Sequence, residues 1–414
     1  MSQLKFIDLC CGIGGFHQAL NAMNMECVLA ADIDEECRKN YEENYKIRPH
    51  GDLSKIKIES IPDFDVLCAG FPCQPFSKAG HQNGFEDSRG NIFFDMCKIV
   101  AHHNPKYLIM ENVRNLASHD KGNTWDVIKA TLDKLNYYTY DDPLILNTLY
   151  FGVPQSRERV VILCKRKDLG NLPALPEISK KNIQPTSLDT IIEETVDPKF
   201  NITGKMRTTH TIWNEFLTLL SNQKISIPKF PIWTDWWDSD GLNTTVTKTD
   251  DNKSDEENRT MVEKAQREFY AKYKNWIDKN REFYNKNKGI LEPWLMESRK
   301  NGLWKGAVRK MEWQCGVDGL TMDQTLWSPR GSGVRIKKTD YSPTLVAMTS
   351  MIPIYGPKMR QLTPRECARL QSFPDNYKIH ANEKIAYKQF GNAVNVNMIE
   401  RCARFLINGE MLFM

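Results

Sequence analysis

Cys73 stands between two prolines in Gly70-Phe71-Pro72-Cys73-Gln74-Pro75-Phe76-Ser77, directly after the apolar run Phe64–Ala69. Proline fixes its own φ and has no N–H to give to a sheet, so the thiol is presented from a stiff loop. A buried core cysteine is the common alternative, but these neighbours are wrong for a core strand and right for a loop at a strand's carboxyl end. Cys68, Cys97 and Cys402 have no such neighbours and read as buried core side chains. Glu111, in Glu111-Asn112-Val113, ends a second apolar run, Lys106–Met110. Partial desolvation there raises a carboxyl pKa and suits the group to donate a proton or a hydrogen bond. A carboxylate at a helix N-terminus would look the same in sequence.

The third segment is Asp8-Leu9-Cys10-Cys11-Gly12-Ile13-Gly14-Gly15, between the apolar run Lys5–Leu9 and a helical pattern through Phe16 and Leu20. Glycines let a backbone pass close to a ligand, and a helix N-terminus offers unpaired N–H groups. A plain tight turn fits the same residues. The context adds that the next strand pattern, Glu26–Ala30, runs into Asp32, at about the spacing where a dinucleotide fold places the acceptor for ribose hydroxyls. Asp32 as a solvated loop carboxylate stays open at this point.

These segments need elements to hold them. Short apolar runs alternate with helical patterns over roughly the first 165 residues, which signals βα units and a mostly parallel sheet. Lys5–Leu9, Glu26–Ala30, Phe64–Ala69, Lys106–Met110 and Arg159–Cys164 read as strands. Ile92, Met96 and Ile99, then Trp125, Ile128, Leu132 and Leu135, put one apolar stripe on each of two covering helices. All three chemical segments then fall at carboxyl ends of strands, where open α/β sheets bind ligands.

After Asn171 prolines gather and tryptophans appear at 213, 233, 236 and 237, which marks a different domain. Inside it Val262, Ala265, Phe269, Tyr273, Trp276 and Asn280 lie at helical spacing, a helical insertion over about 258–300. Thr363-Pro364-Arg365-Glu366 supplies an N-cap hydroxyl, a proline at the first helical position and a capping-box glutamate. A last helix runs from about Val394 to Ile407 and stops at Asn408-Gly409. The expected division is 1–170 with 356–414 as one domain and 171–355 as the other.

Composition restricts the function class little. The net charge of +4 is too small to mark a nucleic-acid binder without a local cluster. Eleven cysteines with no CxxC pair suggest neither a disulfide framework nor a zinc site, and so a reducing cytoplasm. No apolar stretch approaches the length of a membrane span, and the N-terminus has no signal-like segment.

Together these segments resemble the DNA cytosine-5 methyltransferase family, and in particular its prokaryotic modification enzymes. Phe6–Leu9 with Gly12, Gly14 and Gly15 is similar to the family's cofactor loop, Gly70–Ser77 to its Pro-Cys motif, and Glu111-Asn112-Val113 to its Glu-Asn-Val motif. The likeness continues in Phe85–Gly90, Gln155-Ser156-Arg157-Glu158-Arg159, Arg360–Asp375 and Gly391-Asn392-Ala393-Val394. It covers roughly the first 165 and the last 55 residues.

The resemblance implies an α/β fold of the S-adenosylmethionine-dependent, Rossmann-like kind, with a smaller target-recognition domain over 171–355. It implies S-adenosyl-L-methionine as cofactor, held by Asp8, Gly12, Ile13, Gly14 and Gly15, with Asp32 and Ile33 at the ribose and adenine. Asp52 and Leu53 would receive the adenine edge, and Gly70, Pro72, Ile92, Asn392 and Ala393 would complete the pocket. Cys10 stands where family members often carry phenylalanine, and Ile33 where many carry an aromatic, so adenine stacking is differently built here.

For catalysis the resemblance implies attack of Cys73 on carbon 6 of cytosine and support of the ring by Glu111. Arg159 would meet the oxygen on carbon 2, and Arg157 a nearby phosphate. The base that removes the carbon-5 proton is not visible in the sequence. Because a stacked base is out of reach, the cytosine would be flipped from double-stranded DNA. The implied setting is a monomeric enzyme in a bacterial cytoplasm, at the nucleoid through its DNA, functionally paired with a cognate endonuclease.

In the middle domain the tryptophans read as core. Arg330-Gly331-Ser332-Gly333-Val334-Arg335-Ile336-Lys337-Lys338 is the candidate for DNA contact, with a solvated hairpin as the alternative. An RNA cytosine-5 methyltransferase of the same fold is disfavoured, because the Cys-Phe-Thr triplet of those relatives is absent and the middle domain is large. An amino-group methyltransferase is disfavoured too, since Asn104-Pro105-Lys106-Tyr107 precedes its strand. A catalytically silent DNA-binding relative does not explain an intact Cys73, Glu111 and Arg159.

Overall fold

The structure is a computed structural model that describes residues 3–72, 92–237, 254–300, 306–331 and 333–413. By its internal contacts the chain forms two compact units, Met1–Glu194 with Asp340–Thr349 and Thr363–Met414, and Thr195–Thr339 with Ser350–Leu362. The change of composition at Asn171 precedes this change of packing, because the proline-rich stretch is tied into the first unit. Gln184 N–H donates to the Leu149 carbonyl, and Glu193 N–H to the Glu366 carboxylate at 2.8 Å.

The first unit is an α/β unit built on a seven-stranded sheet. Its strands are β1 Lys5–Leu9, β2 Glu26–Ala31, β3 Val66–Gly70, β4 Tyr107–Val113, β5 Tyr137–Tyr138, β6 Leu144–Asn147 and β8 Glu158–Arg166, while β7 Gln155–Ser156 pairs outside it. The order is β2-β1-β3-β4-β8-β5, with β6 also paired to β8. β2, β1, β3 and β4 run parallel, and β8 is antiparallel to β4, β5 and β6.

Alternation along β1 puts Ile7 and Leu9 into one apolar layer with Leu67, Leu108 and Ile162, beneath the helices Ile92–His103 and Asn123–Lys134. Met96, Ile99, Ile128 and Leu132 supply the stripes expected from their spacing. Cys68, Cys97 and Cys402 are buried. The capping box at Thr363 forms, with its hydroxyl accepting from Glu366 N–H and the Glu366 carboxylate accepting from Thr363 N–H. The last helix, Val396–Asn408, ends on left-handed Gly409.

The second unit holds a six-stranded sheet in the order Arg360–Gln361, Ile354–Tyr355, Leu326–Arg330, Gly333–Lys337, Lys310–Trp313, Ile232–Trp233. Helices Gly204–Asn222, Asp255–Lys286 and Lys288–Lys300 belong to it. Trp213, Phe216, Trp237, Trp327 and Ile336 fill its core, so its tryptophans are structural in the main. No described helix is long and apolar enough to cross a membrane.

Candidate active site

β1 delivers the chain into a left-handed loop. Cys10, Gly12 and Gly14 have φ of 51°, 52° and 84°, a region that glycine enters without strain and cysteine does not. Asp32, just past the end of β2, holds this loop: its Oδ2 accepts from Gly12 N–H at 2.7 Å and its Oδ1 from Asp34 N–H at 2.8 Å. Burial raises the Asp32 pKa against those two amides. From behind, the Tyr377 hydroxyl lies 2.8 Å from the Ile13 carbonyl and the Tyr45 hydroxyl 3.0 Å from that of Gly14.

Two glycines are required by proximity. A Cβ at Gly14 would lie 2.2 Å from the Tyr45 ring, and one at Gly15 would lie 2.5 Å from Val394 Cγ2 and 2.8 Å from the Val394 carbonyl oxygen. The helix that opens at Gly15 therefore sits directly on the C-terminal segment, and residues far apart in sequence close one cavity.

That cavity has a volume of about 570 Å³, within the usual range for a small-molecule or cofactor site. Gly12, Ile13, Gly15 and Asp32 line one part of it, with Asp52 and Leu53 nearby and Ile33 at its mouth, 79% exposed. Gly70, Pro72, Ile92, Asn392 and Ala393 line it as well. Its other end holds Glu111, Arg157 and Arg159.

The strand register brings these last groups together. β4 and β8 place Glu111 opposite Val161 and Val113 opposite Arg159, so the guanidinium reaches back along the pair. Arg159 Nε lies 2.8 Å from Glu111 Oε1, with the two side chains only 12% and 10% exposed. Burial raises the Glu111 pKa, while Arg159 and then Arg157 pull it down.

Two expected residues, Asp8 and Gly14, sit off the cavity wall, and a third, Arg157, is on it but bonded to backbone carbonyls. Asp8 is fully buried behind the loop, because strand alternation turns it to the opposite face from Ile7 and Leu9; burial raises its pKa well above the carboxylate range. Gly14 is pinned against Tyr45 and does not line the cavity. Arg157 is 1% exposed, and its guanidinium donates to the carbonyls of Leu345, Gly391 and Ala393 at 3.2, 3.2 and 2.8 Å. With those bonds made, its guanidinium clamps three backbone carbonyls inside the protein. Burial and the like charge of Arg159 lower its pKa to about 9, so it stays cationic at neutral pH. Cys73 lies outside the described residues.

Other contributors were not singled out by their sequence. Asn112 donates to the Phe71 carbonyl at 2.8 Å and so fixes the chain as it enters Pro72. Lys388 lines the cavity and pairs with Asp34 at 2.9 Å, linking the C-terminal segment to the loop after β2. Asn112 stood inside the Glu-Asn-Val motif, whereas Lys388 carried no signal beyond its place before Gly391.

A family model described as C-5 cytosine-specific DNA methylase matches residues 4–408. The chain belongs to that family. It is 32% identical over 406 residues to the type II methyltransferase M.HhaI of Haemophilus parahaemolyticus, covering 97% of this chain and 94% of that one. It is likewise 32% identical over 438 residues to M.BanI of Aneurinibacillus aneurinilyticus, covering 99% and 97%. Among solved structures, a putative DNA modification methyltransferase encoded within an E. coli prophage aligns with a TM-score of 0.54 at 18% identity, over 98% of this chain and 100% of that one. A Spodoptera frugiperda DNMT2 variant aligns at 0.51 and 20% identity, over 98% and 99%. These last two show the shared fold.

The protein is accordingly a DNA cytosine-5 methyltransferase, and its methyl donor is S-adenosyl-L-methionine. The cavity fits that donor. A nucleoside needs acceptors for ribose hydroxyls and for an exocyclic amine, and Asp32 and Asp52 offer them at the glycine-loop end. Each carboxylate oxygen has two acceptor sites, so Asp32 retains capacity beyond the two amides that it already holds.

Proposed function

We propose that the enzyme methylates carbon 5 of one cytosine within a specific double-stranded sequence, as the modification member of a restriction–modification pair. Its similarity to type II methyltransferases supports that setting. Catalysis is assigned to Cys73, Glu111 and Arg159, and cofactor binding to the loop around Gly12 with Asp32 and Asp52. The observation that carries the assignment is the buried Glu111–Arg159 pair in the cavity that also holds those two carboxylates.

Carbon 5 of cytosine is a poor nucleophile until electron density is pushed onto it. In this reading the Cys73 thiolate adds to carbon 6 of the extruded base. Glu111, beside ring nitrogen 3 and the exocyclic amine, stabilises the enamine that forms, and Arg159 fixes the oxygen on carbon 2. S-adenosyl-L-methionine supplies the methyl group that carbon 5 takes up. Loss of the carbon-5 proton to a water and expulsion of the Cys73 thiolate then release the product.

The second unit is assigned to target recognition. In its hairpin Arg335 and Lys337 alternate with Val334 and Ile336, which fill the core, so the charged side chains share one face. The enzyme is assigned to the bacterial cytoplasm as a monomer, with a cognate endonuclease as its functional counterpart. Bisulfite sequencing of DNA from cells expressing the protein tests the function: one short sequence becomes protected at a single cytosine, and Cys73→Ala removes the protection while cofactor affinity persists. Protection with Cys73→Ala at the wild-type level would overturn the mechanism.

A further inference from the structure

Lys388 brings a positive charge to the glycine-loop end of the cavity from a distant part of the chain. It sits on the helix Glu383–Asn392, whose last residue also lines the cavity. Among the described residues of the cavity wall the other cations are Arg157 and Arg159, at the opposite end. Asp32, Asp34 and Asp52 line the wall near Lys388, so three carboxylates share one ammonium.

The ammonium goes to one of the three. Lys388 Nζ lies 2.9 Å from Asp34 Oδ2. The other oxygen, Asp34 Oδ1, caps the helix Glu35–Tyr45, accepting from Glu36 N–H at 3.0 Å and from Cys37 N–H at 3.2 Å. Gln389, next to Lys388, ties the same turn down by donating from its Nε2 to the Glu36 carbonyl at 3.1 Å. Asp34 is thus gripped by both oxygens. Its own N–H donates to Asp32 Oδ1 at 2.8 Å, while Gly12 N–H holds Asp32 Oδ2 at 2.7 Å. A line of four groups runs from Lys388 through Asp34 and Asp32 to Gly12.

This line is electrostatic as well as mechanical. Burial raises the Asp32 pKa, and the neighbouring charge of Asp34 raises it further. A carboxylate accepts most strongly from a hydroxyl when it is ionised. Lys388 offsets the Asp34 charge and holds the Asp34 carboxyl below its usual range, so Asp32 feels less of a like charge beside it. The pair itself is part exposed and adds little to the stability of the fold. Its effect falls instead on the carboxylate next to it. We propose that Lys388 is a positioning residue for the cofactor: through Asp34 it keeps the Asp32 carboxylate set to receive the ribose hydroxyls of S-adenosyl-L-methionine. The inference rests on the assignment of Asp32 to cofactor binding above, and adds a residue that acts on the ribose only through others.

Calorimetric titration with S-adenosylhomocysteine, and with its analogue lacking both ribose hydroxyls, separates this role from a general defect. Lys388→Met keeps the stem and loses the charge. It is expected to weaken S-adenosylhomocysteine binding about tenfold and binding of the analogue by less than about twofold. Lys388→Arg can pair with Asp34 again, and is expected to bring S-adenosylhomocysteine affinity back to within about threefold of wild type. Equal losses for the two ligands in Lys388→Met, or no loss for either, overturn the proposal, since a packing defect would weaken both alike and an ordinary surface pair would weaken neither. Asp32→Ala tests the assignment underneath: it is expected to erase the preference of wild type for S-adenosylhomocysteine over the analogue. If Asp32→Ala discriminates as wild type does, the cofactor assignment of Asp32 itself fails, and the inference with it.

Discussion

Arg159 Nε and Glu111 Oε1 meet at 2.8 Å where an antiparallel strand pair ends, both side chains almost out of solvent. The guanidinium both positions the carboxylate and lowers its pKa, against the rise that burial causes. Arg159→Lys keeps a cation but loses the planar fork, so single-turnover methyl transfer is expected to fall on the order of a hundredfold with cofactor affinity unchanged. Arg159→Gln also removes the charge. The Glu111 pKa then rises further, and the alkaline limb of the rate profile moves to higher pH than in Arg159→Lys. Coincident profiles for the two variants would show that Arg159 does not set the ionisation of Glu111.

Gly12 and Gly15 make opposite demands. Gly12 has φ of 52° and nothing within 4 Å of the position that a methyl would take, whereas the methyl of Gly15→Ala meets Val394 at 2.5 Å. Gly12→Ala is expected to cost about 1 kcal/mol, from its backbone conformation alone. Gly15→Ala is expected to cost about 1–3 kcal/mol, from forced repacking, and to weaken S-adenosylhomocysteine binding more than Gly12→Ala does. Calorimetric titration and thermal melts check that order. Adding Val394→Ala to Gly15→Ala is expected to restore only part, because the Val394 carbonyl oxygen remains at 2.8 Å.

Arg157 separates two roles that sequence reading merges. Its three carbonyl bonds join β7–β8 to Leu345 and to Gly391 and Ala393 at the end of the helix Glu383–Asn392. Arg157→Gln leaves those carbonyls short of donors in a buried place, so a loss of about 3–5 kcal/mol in stability is expected. Were it a phosphate contact, its loss would instead make the slope of log K for DNA against log salt shallower by roughly one. An unchanged slope with a lowered Tm is the expected pair of results.

Much of the first unit was legible because its signals are local. Strand ends announce themselves as apolar runs followed by Asp32, Glu111 or a proline, and Thr363 to Glu366 spell a cap within four residues. What stayed hidden depends on facing or on distant chain. Asp8 belongs to the glycine-loop motif, yet strand alternation turns its carboxylate away from the cavity. Arg157 and Arg159 are two residues apart and chemically equal, but only the path of the C-terminal segment decides that one is wrapped in carbonyls while the other meets Glu111.

His17 offers a pH test of the packing behind the cofactor loop. Its ring stacks on Tyr45 at 3.9 Å and its Nδ1 lies 2.7 Å from the Tyr41 hydroxyl, in a place where burial lowers its pKa from 6.5 to about 4. In the unfolded chain His17 binds a proton as pH falls through 6.5, and in the folded protein it does so only near pH 4. Between those values the unfolded state holds the extra proton, so acidification favours unfolding, by at most about 1.4 kcal/mol per pH unit. Asp8 nearby has a raised pKa, and its effect runs the other way: the folded state keeps a proton that the unfolded chain gives up as pH rises past the usual carboxylate value. His17→Asn removes only the histidine contribution. The stability of wild type relative to His17→Asn should therefore decline from pH 6.5 to pH 4, as read from denaturant midpoints at each pH. A difference that stays constant over that range would mean that the His17 ring takes up its proton in the folded protein as readily as in the unfolded chain.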